Sequence, residues 1–459
     1  MSKFDEDLVS GSVARSVIKL AWPAVMLNLT NGLHGIVDHA LVGWYVGPNA
    51  NAGIGIAWTL FLVVVVFLSS LFHGMNVLIA RYSGRQDPET LAQVTYHAFL
   101  ASVFLLWFVM APAGYFLTPY LIPIVNQDVH VQAQALPYLR ILFTCGSPMF
   151  LVLLLTFAMQ ASGNPKTPFL LGVLSTVLNI IFSFILVAGF DMGVVGAAYA
   201  TCLAPVASLI ISLTLLFRRK LIIPPPSKFT LIPDLAVVKR IAQIGFPTGI
   251  QAVLLNIGGL VLLMFLAKLE HSAEATAAYA ICYSQLFALV TWASWGLRNA
   301  ASTIIGQNIG AGNAERGVEG VYVAARFGLA WSVLLGAIYF FFPGQLLAIF
   351  GAHDDPLVYE FGVTFMRYLA FSGVFLSASL AFTGGLIGAG DTKSPLLIAF
   401  VTQIVVLLGI CFIALLLGVF SAQIVWVSIP ISHFLRYALS HLVFRRRRWK
   451  HIKVEFERS

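Results

Sequence analysis

The stretch RRKLIIPPPSKFTLIPDLA, residues 218–236, is the one long polar connection in a chain that is otherwise a succession of apolar runs. Its three consecutive prolines, Pro224 to Pro226, cannot continue a helix, because each lacks a backbone N–H and its ring collides with the preceding turn. On either side lie six apolar runs, at 16–46, 52–80, 91–118, 133–161, 167–189 and 193–217, then at 240–268, 275–308, 317–345, 358–388, 393–417 and 420–444. Each exceeds the roughly 18 residues needed to cross about 30 Å of hydrocarbon. The expected organisation is a six-helix lobe over 1–217, a cytoplasmic linker over 218–239, a second six-helix lobe over 240–444 and a basic tail over 445–459.

Composition agrees with a membrane protein. Of 459 residues, 59% are hydrophobic and 10% charged, against about 25% charged in a soluble domain. The net charge of +8 is not a nucleic-acid signal, because of where it falls. Arg81, Arg85, Lys166, the 218–228 cluster, Arg316, Lys393 and RRRRWK at 445–450 occupy alternate connections, and the intervening ones carry Asp128, Asp191, Asp354 and Asp355. That alternation is the positive-inside pattern and places both termini in the cytoplasm. The polar MSKFDEDLVSGS start lacks the form of a signal peptide. The Arg run reads as a lipid-surface anchor. Cys145, Cys202, Cys282 and Cys411 form no CxxC pair and are expected to pack, with no metal site.

The halves repeat at an offset of about 225 residues. LTFAMQASGNPKTP at 155–168 pairs with AFTGGLIGAGDTKSP at 381–395, KLAWPAV at 19–25 with QIGFPTG at 243–249, YLR at 138–140 with FMR at 365–367, and RYSGRQD at 81–87 with QNIGAGN at 307–313. Six spans per copy is an even number, so both copies enter the membrane in the same sense, and the expected pseudo-twofold axis runs along the membrane normal. GNPKTP and GAGDTKSP are read as turns, since neither has the phosphate-loop spacing. No nucleophile and base, carboxylate pair or HExxH motif marks an enzyme.

Pro23 and Asp38 with the following GWYVG, GNPKTP after the fourth span, Asn179, GVVGAAYAT at 193–201 and GQNIGAG at 306–312 carry a resemblance over essentially the whole chain. In order and spacing they resemble the multidrug and toxic compound extrusion (MATE) family of secondary antiporters. The resemblance implies a two-lobed fold with a V-shaped cavity, and export of amphipathic or cationic small molecules in exchange for H+ or Na+, without a cofactor.

Of nineteen acidic residues, Asp38 is the only one read as lying well inside a span. It stands roughly 33 Å along its helix from Ser16. An anion there costs about 2.5–3.5 kcal/mol on insertion scales, so the group either pairs or takes up a proton. Asn31, His34 and Asp38 share one helix face at i, i+3 and i+7, and Asn179 and Ser183 are one turn apart on the fifth span. The family's cation site implies that a first-span Asp cooperates with an Asn and an Asp on the fifth span and a Thr on the sixth. Asp38, Asn179 and Thr201 keep those places, but Ser183 replaces the second carboxylate. One carboxylate in place of two weakens a hard-oxygen Na+ site and favours H+ as the coupling ion, with Na+ second. Elsewhere in the family the coupling acid is on the seventh span, where this chain has Asn256 and no acid between Pro247 and Lys268. Asn31, His34 and Pro23 are expected to support the site. His73 and Arg298 are read as contacts, and Arg140 and Arg367 as anchors.

The expectation is therefore a monomeric bacterial inner-membrane exporter embedded in lipid, with no nucleic-acid partner. The alternative is a lipid-linked saccharide flippase of the same fold superfamily, which would need several buried Arg or Lys to hold a pyrophosphate.

Overall fold

The computed structural model describes residues 7–125 and 127–454, with the side chains of residues 7, 31, 33, 34 and 36–40 outside the described set. Helices dominate, and the described residues contain no strand. Twelve long helical segments follow one another in the expected order. They are α1 (Val13–Tyr45), α2 (Pro48–Gly84), α3 (Pro88–Val125), α4 (Val129–Cys145 and Ser147–Ala161), α5 (Lys166–Gly189) and α6 (Gly193–Phe217), then α7 (Leu235–Leu266), α8 (Ser272–Tyr279 and Ala288–Gly310), α9 (Ala314–Phe341), α10 (Pro356–Gly388), α11 (Lys393–Leu416) and α12 (Ala422–Arg445). Among the described residues, eight of these are singly long and apolar enough to cross a membrane. The two parts of α4, bent by 52° at Gly146, make a ninth.

Four segments contain a π-helical stretch, at Leu105–Met110 in α3, Phe184–Gly189 in α5, Ala280–Leu286 in α8 and Phe400–Leu408 in α11. The stretches in α5 and α11 occupy corresponding spans of the two repeats.

Backbone detail bears the repeat out. Gly163 and Gly390 both have φ of +97°, and each turn is closed by the next residue, Asn164 N–H donating to Met159 O and Asp391 N–H to Leu386 O, both at 2.9 Å. The two side chains then cap the following helix, Asn164 accepting from Thr167 N–H at 3.2 Å and Asp391 from Ser394 N–H at 3.0 Å. These are the turns read from GNPKTP and GAGDTKSP, with Asn164 and Asp391 spent on capping the backbone. Likewise Gln86 (φ 55°) corresponds to Gly312 (φ 83°), and Asp87 N–H to Tyr82 O matches Asn313 N–H to Asn308 O.

The described residues separate into two compact units, one within 26–249 and the other made of 7–25 with 250–454. The division falls within α1 and within α7, two residues beyond Pro23 and Pro247. Proline withdraws one N–H from the helical ladder, so these are the points where each long helix bends most easily.

Each unit has its own apolar core. In the first, Phe61 meets Phe143 and Phe150 edge-on at 5.4 and 5.7 Å. In the second, Phe365 stacks on Trp426 at 4.0 Å, and Tyr279, Tyr283 and Phe287 stack in succession along α8. Small residues let backbones approach: Gly384 and Gly388 of α10 face the backbone of Arg298 and Ser302 on α8, where an added Cβ would collide. The loop acids are largely helix caps, Asp87, Asp128 and Asp355 each accepting from a backbone N–H in the first turn of α3, α4 or α10. Cys202, Cys282 and Cys411 are buried as expected, but Cys145 is exposed because it ends the first half of α4 at the bend.

Candidate functional site

The first unit buries three polar side chains on α5 and α6. Asn179 is 0% exposed, Ser183 1% and Thr201 5%. Two contacts set the register of these antiparallel helices. At one end Ser208 Oγ of α6 donates to Leu171 O of α5 at 2.8 Å. At the other, Gly196 of α6 lies against the backbone of Leu186, where a Cβ would come within 2.9 Å of its carbonyl. Asn179 falls midway between Leu171 and Leu186, and Thr201 near midway between Gly196 and Ser208, so the two stand at the same depth. Ser183 is one turn further along α5 and is the last residue before its π-helical stretch, a distortion frequent at functional sites.

Thr201 Oγ1 donates to Ala197 O of its own helix at 3.0 Å. Asn179 is different. Neither its Nδ2 nor its Oδ1 has a hydrogen-bond partner among the described residues. A buried amide in that condition costs about 1–3 kcal/mol by mutational measures, and such a group calls for a partner.

α1 packs on the same helix. Gly172 of α5 has no side chain where Leu27 of α1 presses against it. The backbone of α1 is helical through residues 31–40, but the side chains of Asn31, His34 and Asp38 lie outside the described residues. Pro23 is buried within α1. Among the described residues no three His, Cys, Asp or Glu side chains gather as metal ligands.

Other residues singled out by sequence serve locally. His73 Nδ1 lies 3.0 Å from Ser69 O, with its ring 4.8 Å from that of Phe157. Arg140 sits 4.5 Å over the Tyr115 ring and donates to Tyr115 O. Asn256 bonds to Ala252 O of its own helix. Sequence reasoning missed a polar cluster in the second unit. Arg436, 8% exposed, donates through Nε to Thr402 Oγ1 at 3.2 Å and through Nη2 to Gln403 Oε1 at 3.1 Å, and His433 bonds Ser372 at 2.6 Å. The i, i+3 spacing of His433 and Arg436 inside an apolar run was the available signal.

One family profile, MatE, matches twice, over residues 23–185 and 247–415. The chain belongs to the MatE family. As a MatE protein it is a membrane transporter and not an enzyme, and the two matches, opening at Pro23 and Pro247, are the two repeats. Among its relatives, Probable multidrug resistance protein NorM of Thermotoga maritima is 27% identical over 449 residues, spanning 95% of this chain and 93% of that one. Probable multidrug resistance protein YoeA of Bacillus subtilis is 26% identical, spanning 81% and 82%. The fold is similar to that of a solved MATE family multidrug resistance transporter of the MOP superfamily, itself in an outward-facing conformation, with a TM-score of 0.90 at 20% identity over 97% of this chain and 98% of that one. A Pyrococcus furiosus MOP superfamily transporter superposes with a TM-score of 0.89, also at 20% identity and over the same shares.

Proposed function

We propose that this MatE transporter exports amphipathic or cationic drugs from a bacterial cell across its plasma membrane, in exchange for H+, with Asp38, Asn179, Ser183 and Thr201 as the coupling group. The observation that carries the coupling site is the fully buried Asn179 carboxamide without a partner among the described residues. α1 and α5 are both odd-numbered spans and so run in the same direction. Eleven residues are just over three helical turns, so stepping from the Leu27 and Gly172 contact brings position 38 of α1 level with Ser183 of α5, on the faces the helices turn to each other. That register supports a site built from Asp38 and Asn179, with Thr201 at the same depth. Asn31, His34 and Pro23 support α1.

In this scheme Asp38 takes up a proton when its site is open to the acidic side. The neutral carboxyl changes its hydrogen bonds with α5, and drug release accompanies the change. The proton leaves when the site faces the cytoplasm, where both chain termini lie. The proton does work only if its affinity differs between the two states. A lone carboxylate suits H+ better than Na+, since a hard cation is held best by several oxygens including paired carboxylates. The names of the NorM and YoeA relatives support drugs as cargo. Lipid-linked saccharide is a weaker reading, because Arg436 spends its guanidinium on Thr402 and Gln403.

Asp38→Asn tests the assignment. At equal membrane abundance it is expected to abolish energy-dependent efflux of a fluorescent cation, and Asp128→Asn, which keeps a helix-capping side chain, leaves efflux unchanged. Wild-type efflux from Asp38→Asn cells overturns the coupling role.

A further inference from the structure

We propose that a crevice among α9, α10 and α12 holds the phosphate of an anionic phospholipid, with Arg326 as its counter-ion. Arg326 lies twelve residues past Ala314, about 18 Å along α9, and two turns deeper than the exposed Glu319. A cation at that depth in a span requires a partner or a route to water. Arg326 is exposed, and it makes no hydrogen bond or ion pair with any described residue.

What it does face is a cavity of about 240 Å³ whose other walls include Tyr322, Leu329, Phe382, Tyr437 and His441. This is smaller than the roughly 300–1,000 Å³ of drug-sized pockets, and suits a headgroup or part of one chain. Two of the polar groups meet there, Tyr322 Oη and His441 Nε2 lying 3.3 Å apart. One turn beyond His441, α12 ends in Arg445, followed by Arg446, Arg447 and Arg448. Glu315 engages Arg447 and Lys450, each at 2.6 Å. Arg445, Arg446 and Arg448 have no acidic partner among the described residues.

Positive charge therefore stands in the wall of an aromatic crevice, at Arg326, and at the end of α12 one turn past His441. A diacyl phospholipid fits this order. Its chains stay in the bilayer against Leu329, its headgroup meets the α12 arginines, and its phosphate oxygens accept from the planar fork of Arg326. A soluble anion would have no reason to reach that depth.

Native mass spectrometry of the purified, detergent-washed protein with added phosphatidylglycerol or phosphatidylcholine of identical chains tests this. Wild type and Arg326→Lys are expected to retain phosphatidylglycerol in preference to phosphatidylcholine, and Arg326→Gln to retain roughly fivefold less of it, the fold-change corresponding to about one arginine at a lipid surface. Leu329→Trp, which fills the crevice without touching a charge, is expected to lose retention as well and stands in if Arg326→Gln does not fold. Equal retention of the two lipids by wild type, or undiminished phosphatidylglycerol on Arg326→Gln or Leu329→Trp, overturns the proposal.

Discussion

Asn179 is the residue whose behaviour separates a working site from ordinary packing. If its carboxamide only filled space, Asn179→Leu would replace two polar atoms without a partner among the described residues by apolar contact and cost nothing in function. The expected outcome is a protein whose stability in detergent, read from thermal unfolding, is unchanged or raised by up to about 1–3 kcal/mol of relieved desolvation, and whose efflux is lost. Transport at the wild-type rate would reduce Asn179 to a packing residue. Ser183→Asp probes the same face from the other side. Two close carboxylates resist joint ionisation, and a bound Na+ stabilises both. The variant is expected to gain Na+-dependent, K+-independent thermal stabilisation at alkaline pH, and adding Asp38→Asn is expected to remove it. A folded Ser183→Asp protein with no such response would show that Ser183 does not serve the Asp38 site. Asn179, Ser183 and Thr201 were singled out only through motif order, since their spacing alone is that of common helix-packing polars; the structure adds that all three are buried. Arg326 and Arg436 were not picked out, because a single cation inside an apolar run shows neither which face of its helix it occupies nor what it meets there.

At the scale of elements, all twelve helical segments were readable from apolar length, and their ends were not. α3 was expected over 91–118 and runs Pro88–Val125, because its cap, Asp87 with Pro88, lies before the apolar run begins. The bend in α4 and the π-helical stretches leave no mark in hydropathy, since they change hydrogen-bond partners without changing composition. Repeat-matched turns were predicted, and their equality is testable. Gly163→Ala and Gly390→Ala each force a Cβ onto a φ of +97°, at about 1–3 kcal/mol of strain. Gly390→Ala also meets the Val454 side chain of the tail. Thermal unfolding is expected to show both destabilised, with Gly390→Ala the worse, and a neutral Gly163→Ala would show that turn to be free to relax. Gly384→Leu, which would drive a side chain into the Arg298 backbone of α8, is expected to cost more than either, because backbone atoms cannot rotate away.

For the whole molecule, the composition, the twelve apolar runs and the internal repeat suffice to specify a two-lobed helical membrane fold. The division of α1 and α7 between units was not readable, although Pro23 and Pro247 mark it to within two residues. Proline reports where a helix is easily bent, and only packing reports which side of the bend belongs to which core. The proposed coupling is likewise a property of the whole chain, since in that scheme a proton bound in one unit must change the state that releases drug. The direct measurement is uptake of a fluorescent cation into sodium-free proteoliposomes with an acidified lumen. Wild type is expected to accumulate the dye as protons leave, collapse of the pH gradient to stop it, and Asp38→Asn to show none. Accumulation that depends on a Na+ gradient and ignores the pH gradient, or that persists in Asp38→Asn, would contradict proton coupling through Asp38.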